Sequence, residues 1–553
     1  MRGDPVYRQV LDPVAGSLGW SSLVAALPLA VLFVLLGAVR MRAWTASLIA
    51  LAVSLAVAIW TYGMPAGQAF LAGSEGAAFG FFPILWIVIN ALWVYNITVA
   101  TGHFDVLRRT FAQVSDDQRL QAILIAFSFG ALLEALAGFG TPVAVTSVML
   151  IALGFPPLKA AVLALTANTA PVAFGAMATP ILTLGKVTGQ SSDTLGAMVG
   201  RQTPILAVFV PLILVLIADG RRGVRETWPT ALFCGAAFGA AQYVTANFVS
   251  VPLADVVASL VSAAAVVLVV RLRRPHAPAR PVIAGGAADE PTPEFAARAG
   301  RGEAPADPRA DVVRAYAPYA IIIAVFVVCQ IDQVKTWLNG ATQTFGWPGL
   351  HITGASGKPS TLPTFTLNYF TTPGTQMLVA GLITMLALRV GAGRALRAYG
   401  TTLVQLRWAI VTVMAVLALA FVMNASGQTV TLGTWMAGAG GAFAVLSPVL
   451  GWLGTAVTGS DTSSNSLFGA LQITAANKAD LSPVLMAATN SSGGVLGKMV
   501  SPQNLAIAAA AVGLDGREGD IFRRVVLWSL LFLAGMCVLS GLQSTGALSW
   551  MVP

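Results

Sequence analysis

Apolar runs of about 20 residues recur along most of the chain, separated by short polar or basic segments. Each run of that length is long enough to cross a lipid bilayer as a helix. The first candidates are Ser22–Val39, Trp44–Tyr62 and Ala77–Val99. His103 to Arg109 reads as an interfacial amphipathic helix. Later candidates are Pro204–Ala218, Thr230–Phe248, Leu253–Val270, Val312–Ile331, Gln376–Leu388, Trp408–Met423 and Val525–Leu542, with Thr429–Gly441 at the interface.

Four apolar stretches are too long or too interrupted for one simple span. Residues 121–155 are broken by Gly138-Phe139-Gly140-Thr141-Pro142, and 442–476 by Gly459-Ser460-Asp461-Thr462-Ser463-Ser464-Asn465-Ser466. Both are expected to be re-entrant hairpins. The alternative for the first is a kinked full span. Residues 158–188 are interrupted at Asn168-Thr169-Ala170-Pro171, where Pro171 offers no backbone N–H and the helix should open. Residues 482–511 contain the polar knot Thr489-Asn490-Ser491-Ser492-Gly493-Gly494, a second candidate unwound segment. Lipid cannot satisfy such backbone and hydroxyl groups. They persist at membrane depth only when buried in protein or lining a cavity.

Composition agrees with a membrane protein. Of 553 residues, 56% are hydrophobic and 10% charged, against roughly 25% charged in soluble domains. Cys234, Cys329 and Cys537 lie in apolar runs without metal-ligand spacing. The net charge of +9 is spread over loops in the positive-inside manner, which argues against nucleic acid as a partner. Residues 1–20 show no cleavable signal. Residues 275–311 are rich in Pro, Ala, Gly, Arg and Glu and read as a flexible cytoplasmic linker.

Basic clusters at 40–42, 108–119, 221–225, 271–274, 389–407 and 517–524 all fall on the cytoplasmic side if 121–155 and 442–476 do not cross. The expected fold is therefore an all-α polytopic membrane protein. It has about 12 transmembrane helices plus two re-entrant hairpins, with both termini outside. A shift of 322 residues places Asn168 on Asn490, Gly175 on Gly497, Met177 on Met499 and Pro180 on Pro502. A shift of 321 places Gly138 on Gly459 and Thr141 on Thr462. The first hairpin opens from the cytoplasm and the second from outside, so the halves should be inverted repeats. These are residues 1–225 and 312–553, joined by a helix pair at 226–274 and the linker. That architecture puts the substrate site near the midplane, where helix ends point at the ligand.

Hydroxyls and half-helix N-termini favour an anion. Thr141, Thr169, Thr462, Ser463, Ser464, Ser491 and Ser492 are candidate donors. Asn168 and Asn490 either touch substrate or cap the broken helices. Charges at membrane depth cost about 2.5–3.5 kcal/mol and so invite function. Glu134 and Asp461 are the candidate proton carriers. Each has an alternative role as a fixed partner of Lys498 or a cap. Lys498 neutralises a substrate carboxylate or pairs with a protein one. Lys186 ends the first broken helix, and Lys159 and Arg201 read as turn or interface residues. His103, His276 and His351 form no cluster, and no Walker sequence is present, so neither an enzyme nor ATP drive is indicated.

The run Gly459 to Gly469, the run Glu134 to Pro142 and the run Ala167 to Gly175 together resemble the bacterial lactate permease family over essentially the whole chain. Ser466 stands where that motif leads one to expect Ala. The resemblance implies proton symport of L-lactate, and often D-lactate and glycolate, across the bacterial inner membrane, with the proton as coupling ion and no other cofactor. It also implies kinship with a broader ion transporter superfamily, in which a scaffold carries a moving transport domain and homodimers are common. Two alternatives remain at this point. One is a sodium-coupled carboxylate transporter of the same architecture, the other a gated anion channel.

Overall fold

The computed structural model describes residues 6–39, 41–112, 114–115, 117–138, 140–272, 307–354, 363–514 and 517–553. Arg40, Phe139, Arg273, Arg274, His276, Lys358 and residues 275–306 of the expected linker lie outside them. The last residues of that expected linker are already structured, because the helix Arg309–Gln330 begins within it.

Among the described residues, ten helical stretches are long and apolar enough to cross a membrane, or eleven with one bent pair counted. One of the ten, Ser192–Phe248, has 57 residues, which as a straight helix would be about 85 Å long. The chain instead reverses at Gly220, whose φ is +67°. The two legs pack so closely that a Cβ on Gly235 would strike the Val208 carbonyl. This stretch is two packed helical legs, and the expected spans Pro204–Ala218 and Thr230–Phe248 fall one on each.

Both interrupted segments double back. In the first, Gln118–Ala137 ends at Gly138 (φ +29°) and Thr141–Ala152 returns. The Gln118 Nε2 donates to the Leu153 carbonyl at 2.8 Å, which fastens the two ends of the hairpin together. In the second, Phe443–Thr458 ends at Gly459 (φ +77°) and Asp461–Lys478 returns. Ser464 Oγ donates to the Gly451 carbonyl, and Ser447 Oγ to Gln472 Oε1, each at 2.9 Å. Both pairs join one arm to the other across the tip. A left-handed backbone at the tip is inexpensive only for glycine, so Gly138 and Gly459 mark where each arm turns.

The broken helices depart from the sequence expectation. The first is bent by 66° between Pro157–Ala167 and Val172–Thr188. Its opening runs past Pro171 to Ala176, Met177 and Ala178, which have φ of 43°, 57° and 60°. The second is not unwound at Thr489–Gly494. Pro483–Gly497 is one continuous helix, and the break falls at the 3₁₀ turn Lys498–Val500 and the extended Ser501. The polar knot is a helix–helix interface. A Cβ on Gly493 would strike the Pro448 carbonyl and one on Gly497 the Trp452 carbonyl. Small residues let backbones approach in the bilayer, and the Ser and Asn side chains then bond across the contact. Ala176–Ala178 and Lys498–Val500 are separated by the same 322 positions as the sequence match. In both, the turn comes before a hydroxyl–proline pair, Thr179-Pro180 or Ser501-Pro502. Proline disfavours a helical predecessor and suits the first turn of the next helix.

Three further differences concern the surroundings. The expected span Ala77–Val99 is the end of a longer unit, Ala66–Phe79 and Trp86–Ala100. It is interrupted by non-helical Phe82 before Pro83. The expected crossing Trp408–Met423 belongs to one unbroken helix, Ala392–Ser426, that also carries Arg394, Arg397 and Arg407 of the basic cluster. The expected interfacial segment begins as a helix, Gln428–Met436, whose first turns pack inside the protein. Gln428, Thr429 and Thr431 are buried, and Tyr62 donates to Thr431 Oγ1 at 3.0 Å. The polar loop after residue 331 holds a small antiparallel strand pair, Gln343–Gly346 with Thr364–Leu367. Ile352–Thr353 pairs with Tyr7–Arg8 near the N-terminus. The bundle is thus helical with a small β addition on one face.

Candidate functional site

Four interruptions converge on one cavity of about 630 Å3. The first hairpin contributes Glu134 and Gly138, and the first broken helix contributes Gly175, Ala176 and Thr179. The second hairpin brings Ser460, Asp461, Thr462 and Ser463, and the second broken helix Lys498, Gln503 and Asn504. Arg42, Trp44, Arg407 and Trp408 also border it. The rings of Trp44 and Trp408 stack at 4.8 Å, and the Arg407 guanidinium lies 5.4 Å from the centroid of the Trp408 ring. A basic, aromatic border concentrates anions by its field.

At the centre, Lys498 Nζ donates to Glu134 Oε1 at 2.5 Å, with both side chains more than nine-tenths buried. Lys498 stands at the C-terminal end of the helix Pro483–Gly497, where the 3₁₀ turn begins, and its side chain reaches across to the first hairpin. Asn504 Nδ2 holds the Lys498 carbonyl at 3.2 Å, and Ser501 Oγ caps the next helix by accepting from Asn504 N. Glu134 Oε2 is buried and has no hydrogen-bond partner among the described residues. Gly175 faces Glu134, so a Cβ there would meet Oε1 at 2.8 Å.

Asp461 is the first residue of its helix, behind the Ser460 cap that accepts from Ser463 N. A carboxylate there faces the positive end of the helix. Its Oδ2 accepts from Ser491 Oγ at 2.6 Å and from Asn465 Nδ2 at 3.4 Å, and Oδ1 accepts from Thr455 Oγ1 at 3.4 Å. Gly494 leaves space for this carboxylate, since a Cβ there would collide with Oδ1. Asn465 Nδ2 also donates to the Pro180 carbonyl at 3.1 Å, which ties the second hairpin to the first broken helix.

Of the residues singled out in the sequence, Glu134, Asp461, Thr462, Ser463 and Lys498 border the cavity. The other seven do not, among them Ser492, whose hydroxyl donates to Gln202 Oε1 at 2.7 Å. Thr141 begins the returning arm, its N–H bonded to the Gly138 carbonyl. Asn168 is buried with its Oδ1 unpartnered among the described residues, and Thr169 donates back to the Thr166 carbonyl at 2.7 Å. Ser464 joins the two arms of its hairpin. Asn490 donates to Asn465 Oδ1 at 2.9 Å and accepts from Gln472 at 3.1 Å. Ser491 reaches the site only through Asp461. Thr179, Gln503 and Asn504 were not anticipated, although Thr179-Pro180 and Ser501-Pro502 carried the signal of a break. The border comes from two pairs far apart in sequence, Arg42 with Trp44 and Arg407 with Trp408, whose arginines enter the sequence reading only as marks of topology.

A membrane-embedded cavity that gathers hairpin tips and helix breaks around one lysine and two carboxylates suits a carrier of small anions. Residues 21–545 match the family model described as L-lactate permease. The chain belongs to the L-lactate permease family. The permease is 41% identical over 551 residues to the glycolate permease GlcA of Escherichia coli K12, covering 97% of this chain and 98% of that one. It is 40% identical to the L-lactate permease of Bacillus subtilis 168, covering 99% of this chain and all of the relative. The L-lactate permease of Halalkalibacterium halodurans is 31% identical over 94% of this chain and 96% of its own length. The permease is a multi-pass inner-membrane transport protein.

Proposed function

We propose that the permease carries L-lactate and related 2-hydroxymonocarboxylates, including D-lactate and glycolate, together with a proton. The substrate class is that of the named relatives. The observation that carries the coupling is the Lys498–Glu134 pair at 2.5 Å, with Asp461 on the same cavity. One ammonium already faces two carboxyl groups. A substrate carboxylate entering beside Lys498 adds a further negative charge to a desolvated site, which is costly unless a proton arrives as well. Asp461 or Glu134 accepts that proton, and Lys498 passes from its protein partner to the substrate. Thr462, Ser463 and Thr179 supply hydroxyl donors for the carboxylate and the 2-hydroxyl.

One proton with one monoanion is electroneutral. The membrane potential, worth about 2.3 kcal/mol per charge per 100 mV, then does no work. A pH difference drives uptake at about 1.4 kcal/mol per unit. By the distribution of basic loops, the border with Arg42 and Arg407 is cytoplasmic and this conformation faces inward. The test is uptake of labelled L-lactate by proteoliposomes with an imposed pH gradient and no sodium. Accumulation above the external concentration supports the proposal. Accumulation only when sodium is supplied replaces it with a sodium-coupled carboxylate carrier. Passive equilibration without accumulation points to a channel.

A further inference from the structure

The central cavity touches only one end of the helix Gly175–Thr188. The other end borders a second cavity of about 560 Å3, lined by Lys186, Thr188, Thr364, Thr366 and Thr372, with Phe79 beside them. Thr179 and Lys186 are seven residues apart on that helix, about 10 Å of rise. The two cavities therefore lie in succession along one helix, the second on the face that carries the strand pair.

Lys186 Nζ donates to the Thr364 carbonyl at 2.6 Å and lies 5.7 Å from the centroid of the Phe79 ring. One turn before Phe79 is Glu75, which is 1% exposed. Neither of its carboxyl oxygens has a hydrogen-bond partner among the described residues. Lys186 is the charged group that acts on it. The neighbouring Gly76 packs against Leu417, Ala418 and Phe421, so that helix adds no charge. Thr372 Oγ1 is buried at the cavity and also lacks a partner among the described residues. A cation and a threonine cluster thus meet at a space large enough for a small organic anion, and the unbonded Glu75 is buried one helical turn from Phe79 on its wall.

We propose that this cavity is a second carboxylate site on the translocation path, with Lys186 as its cation and Glu75 as the acid that takes up the accompanying proton. The inference rests on the carboxylate-transport reading and extends it to the opposite side of the path. When Glu75 is ionised, it neutralises Lys186, and an incoming carboxylate would be an uncompensated charge in an apolar setting. A proton from bulk water on a Glu75 oxygen releases Lys186, whose ammonium then binds the anion. Proton and anion load together, and neither residue belongs to the Lys498 cavity.

The test uses a Cys234→Ser, Cys329→Ser, Cys537→Ser parent carrying Lys186→Cys, reconstituted in proteoliposomes. Initial rates of labelled L-lactate uptake are measured against concentration. The expected result is a KM raised about tenfold with Vmax within about twofold, a loss of about 1.4 kcal/mol in binding. Treatment with an aminoethyl methanethiosulfonate rebuilds an ammonium at that position and should return KM to near the parent value. An uncharged ethyl methanethiosulfonate should not. Glu75→Gln should weaken the pH dependence of KM, leaving the part that belongs to the central cavity. An unchanged KM in Lys186→Cys, equal rescue by the uncharged reagent, or lost uptake that aminoethylation does not restore would overturn the second site. The parent is assayed alongside. If it carries no lactate, the transport reading itself fails, which is a separate outcome.

Discussion

Lys498 and Glu134 are 364 positions apart in the chain and 2.5 Å apart in the fold. The contact joins the broken helix of one half to the hairpin of the other. Each partner sits beside an interruption, Glu134 one turn before the Gly138 tip and Lys498 at the start of the 3₁₀ turn Lys498–Val500. This ion pair lies on the cavity itself, beside the neutral Asn465–Pro180 hydrogen bond that also crosses between the two parts of the chain.

Breaking that pair should be costly on either side. Glu134→Gln or Lys498→Met alone leaves one buried group without its counter-charge, a loss of about 3–5 kcal/mol. The double substitution removes both charges and should recover much of the thermal stability, while uptake remains abolished. Thermal unfolding of the three detergent-purified variants measures this. Additive losses in the double variant would show that the two charges are not coupled.

Two glycines should be intolerant of a single methyl group. Gly494→Ala places a Cβ against Asp461 Oδ1, and Gly175→Ala places one against Glu134 Oε1. Both carboxylates must shift, and the uptake rate should fall at least tenfold, about 1.4 kcal/mol. Gly67→Ala meets nothing within 4 Å and is the control. Equal uptake in all three would show that these carboxylates need not stay where they are.

Asn490 and Ser463 should separate stability from binding. Asn490 is held between Asn465 and Gln472, away from the cavity. Asn490→Ala should cost about 1–3 kcal/mol of stability by leaving buried partners unbonded, with KM little changed. Ser463→Ala should raise KM with little effect on unfolding. Paired unfolding and uptake curves decide, and the reversed assignment would move the substrate site toward Asn490.

The sequence carried the interruptions better than their exact use. Gly138 and Gly459 announced the hairpin tips because a chain that turns back in lipid needs a backbone most residues resist. Asp461 and Glu134 stood out because charge is rare in apolar runs. The knot Thr489–Gly494 misled because small polar residues serve equally at a cavity and at a tight helix contact. Only the three-dimensional approach of Gly493 to Pro448 separates the two uses. The true break was marked by Ser501-Pro502 and Thr179-Pro180, two local signals that the more conspicuous knot overshadowed. Glu75 escaped notice because it precedes the apolar window that begins at Ala77. The border formed by Arg42, Trp44, Arg407 and Trp408 depends on packing between distant helices, for which no local pattern exists.

The most direct measurement compares two modes of transport in Asp461→Asn and Glu134→Gln proteoliposomes. Labelled L-lactate is followed during exchange against internal lactate and during uptake driven by a pH gradient. Proton–carboxylate symport through this cavity predicts that at least one variant keeps exchange, which needs no net proton movement, and loses gradient-driven accumulation. If both variants still accumulate lactate like the wild type when only the pH gradient is imposed, neither carboxyl group carries the proton and the account is contradicted.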